Sequence, residues 1–360
     1  MDMTPARPII TVLCPRADPG AAAAADQPAE LHRPELDRPE LHRPELHRPE
    51  LHRPEGLESL QARAELRYTD ADGLGAAIEG AQVLFLWDFF SPAVQQAWPR
   101  AGALEWIHVA AAGVDALMFD ELSGSEVVVT NAQGIFDRPI AEYVLAAIFA
   151  HAKDFAASQR HQQQAQWVHR ETKRVQGTSA LIIGTGAIGR ETARLLRAVG
   201  IKVTGAGRTA REEDPDFGTV VQSAQLRQHI GGFDHIINAA PLTAQTAGLI
   251  GAESLAAVRP GAHLINIGRG ESVDETALLE ALQTGNLARA TLDVFAQEPL
   301  PKDSPLWAMD SVTISAHMSG DVHGWRAALA EQFRDNAERW LDGQELKNLV
   351  DTAKGYVPRH

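Results

Sequence analysis

The chain has 360 residues, 44% of them hydrophobic, and a formal net charge of −14. That length and apolar content suffice for two hydrophobic cores, while the acidic balance argues against nucleic acid, which demands basic patches. The single cysteine, Cys14, rules out an intramolecular disulfide and any zinc site built from paired thiols.

Pro8–Cys14 (PIITVLC) reads as a buried first strand. Its apolar run is too short for a signal segment, and no stretch approaches the roughly 18–20 apolar residues of a membrane span. A soluble cytoplasmic protein, without a membrane partner or a metal site, is therefore expected. Leu31–Glu55 is five tandem pentapeptides of the LHRPE type. Proline at every fifth position forbids a continuous helix or a central strand. Each unit offers one leucine for burial, so the segment 31–55 reads as a low-complexity, solvated insert. Glu65–Tyr68, Ala81–Trp87, Trp106–Val109 and Val127–Thr130 read as strands, with a helix across Asp70–Glu79. Short apolar runs alternating with helical segments indicate a parallel α/β sheet. Ligands of such sheets bind beyond the strand C-terminal ends. That marks Trp87-Asp88-Phe89-Phe90 and the small-residue loop Ala110–Asp115, whose N–H groups suit an anion.

Pro139–Phe155 reads as a long helix with a broad apolar face. Beyond it, Ser179–Arg190 (SALIIGTGAIGR) joins four apolar residues to Gly184-x-Gly186-x-x-Gly189 and then a helical pattern. Strand, tight turn and helix are the context that a dinucleotide-binding fingerprint requires. Gly184 makes the turn, Gly186 admits a pyrophosphate, and Gly189 lets helix and strand pack. The helix start at Ala187-Ile188 offers unpaired N–H groups. Five further strands follow at Lys202–Thr204, Asp234–Ala239, His263–Ile267, Arg289–Val294 and Ser311–Ser315, completing a six-stranded doubly wound sheet. An amphipathic helix, about Trp325–Leu341, ends the pattern.

A carboxylate for an adenosine ribose should close the second strand of such a unit. Here that region reads Gly205-Ala206-Gly207-Arg208-Thr209-Ala210-Arg211. Gly207 makes room, and Arg208, Thr209 and Arg211 suit a 2′-phosphate through charge-assisted hydrogen bonds. NADP(H) is thus favoured, with NAD(H) left open.

Three chemically apt groups follow the ends of successive strands: Arg269, Glu298 and His317. Reducing a 2-oxo acid needs a hydride, a proton for the nascent alkoxide and a cation for the carboxylate. A nicotinamide supplies the first, a protonated His317 the second and Arg269 the third. Glu298 beside the imidazole would favour its charged form.

These residues carry a resemblance. Thr130–Ala146 (TNAQGIFDRPIAEYVLA), the GTGAIG turn, Ala240–Ile250 (APLTAQTAGLI), INIGRG, DVFAQEP and the His317 segment together resemble the D-isomer-specific 2-hydroxyacid dehydrogenases. The likeness is strongest to their NADP-using, glyoxylate/hydroxypyruvate reductase-like branch. The resemblance implies two doubly wound parallel-sheet domains, a Rossmann cofactor domain at 135–318 and a flavodoxin-like substrate domain at 1–134 plus 319–360. It implies Arg269, Glu298 and His317 as the catalytic set, and Ala112 and Gly113 amides on the substrate carboxylate. It also implies Asp293 on the nicotinamide carboxamide, and a cofactor cleft lined by Ala240, Pro241, Thr246, Ile267 and Gly320. A homodimer formed through the cofactor domain is the expected assembly. Trp87 and Trp325 are candidates for lining the substrate pocket, or for packing alone. The competing expectation is a nucleotide-sensing, corepressor-like binding protein without significant turnover.

Overall fold

The computed structural model describes residues 7–17, 50–352 and 354–357, which form two compact units. The first comprises Met1–Ala132 and Arg326–His360, and the second Gln133–Trp325.

In the first unit, β1 (Ile9–Leu13), β2 (Glu65–Thr69), β3 (Val83–Leu86), β4 (Trp106–Val109) and β5 (Val128–Asn131) form one parallel sheet. Its order, β2-β1-β3-β4-β5, is that of a flavodoxin-like doubly wound fold. β3 and β4 are buried throughout, because helices cover both faces of such sheets. Phe333, from the Trp325–Leu341 helix, stacks on Phe85 with ring centroids 3.9 Å apart.

Two local expectations change here. The helix expected across Asp70–Glu79 shrinks to Leu74–Ala77, because Asp70 accepts the Gly73 N–H at 2.9 Å and makes a turn instead. Residues 31–49 of the pentapeptide segment lie outside the described residues; in its last unit His52, Arg53 and Glu55 are exposed, but the backbone is anchored. Leu51 bridges to Arg16, Pro54 is buried, and the Arg53 guanidinium lies over the Tyr68 ring, 4.7 Å from its centroid.

The second unit contains an eight-stranded sheet. Its strands are β6 (Ser179–Ile183), β7 (Lys202–Gly207), β8 (Arg211–Asp214), β9 (Gly218–Gln222), β10 (His235–Asn238), β11 (His263–Asn266), β12 (Arg289–Leu292) and β13 (Val312–Ile314). The order β13-β12-β11-β10-β6-β7-β9-β8 contains the Rossmann arrangement, with β13 and the antiparallel β8 added at the edges. Six strands were expected; β8 and β9 were missed. Arg-Glu-Glu-Asp has no apolar alternation to mark β8, and β9 buries only Val220 fully.

The helix expected at Pro139–Phe155 runs from Asp137 to Lys153 and stops at Asp154, whose φ of 50° is left-handed. The Asp154 side chain then caps a second helix, Phe155–Gln163. The Asp137–Lys153 helix packs on the Ala187–Ala198 helix. Among the described residues no helix is long and apolar enough to cross a membrane.

Candidate active site

β6 delivers the chain directly into the glycine turn. Gly184 has a φ of +101°, and an added Cβ would lie 2.6 Å from the Ala239 backbone. At Gly189 a Cβ would sit 2.0 Å from the Gly184 carbonyl oxygen. Those two glycines are required by the fold itself. Gly186 differs: nothing lies within 4 Å of the Cβ position, so its missing side chain leaves open space. The Ala187–Ala198 helix begins there with no side-chain cap, leaving the N–H groups of its first turn, Ala187 and Ile188 among them, for an anion. The turn therefore fits a dinucleotide pyrophosphate.

At the end of β7 the space beside Gly207 is taken by Thr185 and Val220, so this glycine makes room for protein rather than ligand. Arg208 and Thr209 are exposed in the turn that follows. Arg211, expected in the same loop, instead opens β8 and is held by Asp214 at 2.8 Å. Asp214 is nearly buried and also receives both terminal nitrogens of Arg190, at 2.8 and 2.9 Å. Arg194 and Arg190 both reach Asp216, and Arg197 donates to the Asp216 carbonyl at 2.8 Å. Burial alone would raise the Asp214 carboxyl, but the Arg190 and Arg211 hydrogen bonds hold it far below the usual carboxylate range. Three arginines spaced i, i+4 and i+7 on the glycine-loop helix thus fasten the turn between β8 and β9. The sequence displays that spacing, but nothing in it names the partner.

The loop after β11 carries Arg269. Buried Asn238 donates to Asn266 Oδ1 and Ser272 Oγ, at 2.8 and 2.6 Å. Asn266 and Ser272 in turn donate to the Arg269 carbonyl, at 3.1 and 2.5 Å. The adjacent Gly270 is obligatory, since a Cβ would fall 1.8 Å from the Phe295 backbone.

Beyond β12, Glu298 turns back so that Oε1 accepts the Phe295 N–H at 2.9 Å and Oε2 meets His317 Nδ1 at 2.8 Å. Both side chains are about a third exposed, at 32% and 30%. Burial pushes the Glu298 carboxyl up, yet the His317 and Phe295 hydrogen bonds, aided by the Arg269 charge, bring it below its ordinary value. An ionised carboxylate therefore faces the imidazole, with Arg269 close enough to act on it.

Asp293 closes β12 with its side chain buried. Its carboxylate accepts from Ser315 Oγ at 2.6 Å, the Met318 N–H at 2.9 Å and the Ser319 N–H at 3.0 Å. It organises the loop that carries His317, a role that sequence reading did not include. Asn238, Asn266, Ser272 and Ser315 were missed as well, because a buried amide or hydroxyl carries no spacing signature.

The remaining expected residues fall as follows. Ala240 and Ile267 are buried at the ends of β10 and β11, and Pro241 accepts from Thr246 Oγ1 at 2.6 Å. Gly320 is a glycine because a Cβ would lie 2.7 Å from the Phe136 ring. Trp325 faces the same Phe136, with centroids 6.1 Å apart. In the first unit, Ala112 and Gly113 are partly exposed in the loop after β4, where Asn131 donates to the Ala112 carbonyl at 2.6 Å. Trp87 is buried there, its indole N–H donated to the His52 carbonyl at 3.1 Å.

A Rossmann sheet with an intact glycine cradle, beside a guanidinium, a carboxylate and an imidazole, defines the class as a nicotinamide-dinucleotide oxidoreductase. Residues 145–319 match the family model described as D-isomer specific 2-hydroxyacid dehydrogenase, NAD binding domain. The chain is 31% identical over 262 residues to glyoxylate/hydroxypyruvate reductase A of Serratia proteamaculans, covering 71% of this chain and 82% of that protein. It is 34% identical over 269 residues to a putative 2-hydroxyacid dehydrogenase of Haemophilus influenzae, covering 69% and 77%. The crystal structure of a D-isomer specific 2-hydroxyacid dehydrogenase from Xanthobacter autotrophicus, in complex with NADPH and MES, superposes with a TM-score of 0.74 at 27% identity. It covers 98% of this chain and 100% of that one. The chain belongs to the D-isomer specific 2-hydroxyacid dehydrogenases, an NAD(P)-dependent family.

Proposed function

We propose that this protein is an NADPH-dependent reductase that converts a small 2-oxo acid to the D-2-hydroxy acid, and runs the reverse oxidation. The observation that carries the reading is the 2.8 Å contact between His317 Nδ1 and Glu298 Oε2, with Arg269 near the pair. Bound NADPH supplies a hydride to the carbonyl carbon. His317 gives its Nε2 proton to the oxygen as negative charge builds there. Glu298 accepts from Nδ1 and fixes the ring and its tautomer, leaving Nε2 for the substrate. Arg269 offers a planar fork to the substrate carboxylate and polarises the adjacent carbonyl.

Preference for the phosphorylated cofactor is supported at the end of β7. Arg208 and Thr209 are exposed where a ribose-binding carboxylate would otherwise stand, and the nearby carboxylates Asp214 and Asp216 are neutralised by arginines. The relatives named glyoxylate/hydroxypyruvate reductase support two- and three-carbon substrates. Trp325 is the residue proposed to limit the substrate side chain. A homodimer is proposed through the cofactor-binding unit, where Phe155, Trp167 and Val168 stand exposed, Trp167 fully so.

A panel of 2-oxo acids assayed with NADPH and NADH in parallel tests the reading. Turnover of glyoxylate or hydroxypyruvate with NADPH preferred is the expected result. Absence of turnover across the panel with both cofactors would overturn it.

A further inference from the structure

His317 has a φ of +51°, a left-handed conformation that residues other than glycine seldom adopt. Such a backbone persists only where its surroundings over-determine it. Here Asp293 catches three successive amides: its backbone carbonyl accepts His317 N–H at 2.8 Å, and its carboxylate accepts those of Met318 and Ser319.

The carboxylate is itself steered from further away. Ser315 Oγ lies 2.6 Å from Asp293 Oδ1, and Tyr143 Oη lies 2.6 Å from Ser315 Oγ. The Ser315 hydroxyl proton goes to Asp293, so its oxygen is left to accept the Tyr143 hydroxyl proton. The chain of bonds has one direction, from the Asp137–Lys153 helix to the loop of the acid/base histidine. Burial raises the Tyr143 phenol above its ordinary value, so it remains a donor at any pH of interest.

We infer that Tyr143 is a positioning residue which, through Ser315 and Asp293, holds His317 in the left-handed conformation that keeps Nδ1 on Glu298. The inference rests on His317 being the acid/base group. A purely packing role for Tyr143 would need only its ring. The positioning role needs its hydroxyl.

The test uses the full chain as Tyr143→Phe, Ser315→Ala, the double variant and Ser315→Thr. Losing one hydrogen bond from the relay should lower kcat about three- to tenfold, with the affinity for NADPH near that of the native protein. The double variant should be no worse than Ser315→Ala, since both residues act in one chain, and Ser315→Thr should restore the native rate. In the cofactor-free protein the His317 ring protons should change chemical shift in Tyr143→Phe, with Tm unchanged.

Native kcat and ring shifts in Tyr143→Phe would overturn the inference. So would kcat, NADPH affinity and Tm all falling together, which is what a packing role gives. Should His317→Gln keep turnover, the acid/base reading fails instead, and the ring shifts alone still decide whether Tyr143 holds the loop.

Discussion

Nδ1 of His317 and Oε2 of Glu298 stand 2.8 Å apart, joining the loops that follow β13 and β12. Because Glu298 also accepts the Phe295 N–H, it cannot swing away without stranding a donor. Glu298→Gln keeps the shape and removes the negative charge that faces the imidazole. Its kcat in the reductive direction should fall on the order of a hundredfold. His317→Gln should lose more, with NADPH binding by calorimetry kept. A native kcat in Glu298→Gln would show that the pair is not the proton source.

Arg208 and Arg211, three residues apart, are not equivalent. Arg211 is held by Asp214 on β8, whereas Arg208 is exposed in the turn. Arg208→Ala should raise the Kd for NADPH about 10- to 100-fold, the loss of a hydrogen bond to a charged phosphate, while NADH is little affected. Arg211→Ala should cost less, because that guanidinium is held on the β8 carboxylate Asp214. Equal losses for both cofactors in Arg208→Ala would refute the assignment of the 2′-phosphate.

The reach of sequence reading is explained by the same residues. Ala180–Ile183 running into Gly184-x-Gly186 announces its fold because turn, strand and helix are all encoded locally. Arg269, Glu298 and His317 are legible because each lies just past an apolar strand of a parallel sheet, where ligands bind. What escaped was nonlocal. The Arg190, Arg194 and Arg197 row shows helical spacing, yet its targets on the turn at 214–216 emerge only when β8 pairs with β9. The Tyr143–Ser315–Asp293 chain joins residues as much as 172 positions apart. The stop at Asp154 was hidden because the apolar pattern of Pro139–Phe155 continues through it.

The fingerprint glycines should separate binding from folding. Gly186→Ala places a methyl in open space, so the protein should fold with native Tm and bind NADPH more weakly. Gly189→Ala drives a Cβ to 2.0 Å from the Gly184 carbonyl, a clash that relaxes only if helix and strand separate. Overpacking of this kind costs about 1–3 kcal/mol, so its Tm should drop before any ligand is added. Thermal melts of both variants, with and without NADPH, read the contrast. A Gly186→Ala variant with native affinity would remove the pyrophosphate from that turn.

At the other end of the sheet, His235 and His263 begin β10 and β11, and His151 joins them from its helix. The His263 ring lies 4.8 Å from that of His151 and 6.0 Å from that of His235, centroid to centroid. Burial, reinforced by Arg289 and Lys173 at His151, pushes His151 and His235 down to about 4 and His263 well below 6.5. Asp154 at His151 and Asp234 at His235 oppose the shift without reversing it. In the window from about 6.5 down to about 4 the unfolded chain therefore binds protons that the folded chain does not. Stability must rise with pH across that window and be lost as pH falls through it. Neither ring nitrogen of His235 has a hydrogen-bond partner among the described residues, so His235→Leu removes an unsatisfied buried group of similar volume. The variant should be at least as stable as the native protein at pH 8 and clearly more stable at pH 5. Its dependence of unfolding free energy on pH should be shallower by up to about 1.4 kcal/mol per pH unit. Urea titrations at three pH values measure that slope. An identical slope in variant and native protein would mean that His235 takes its proton in the folded state as readily as in the unfolded one.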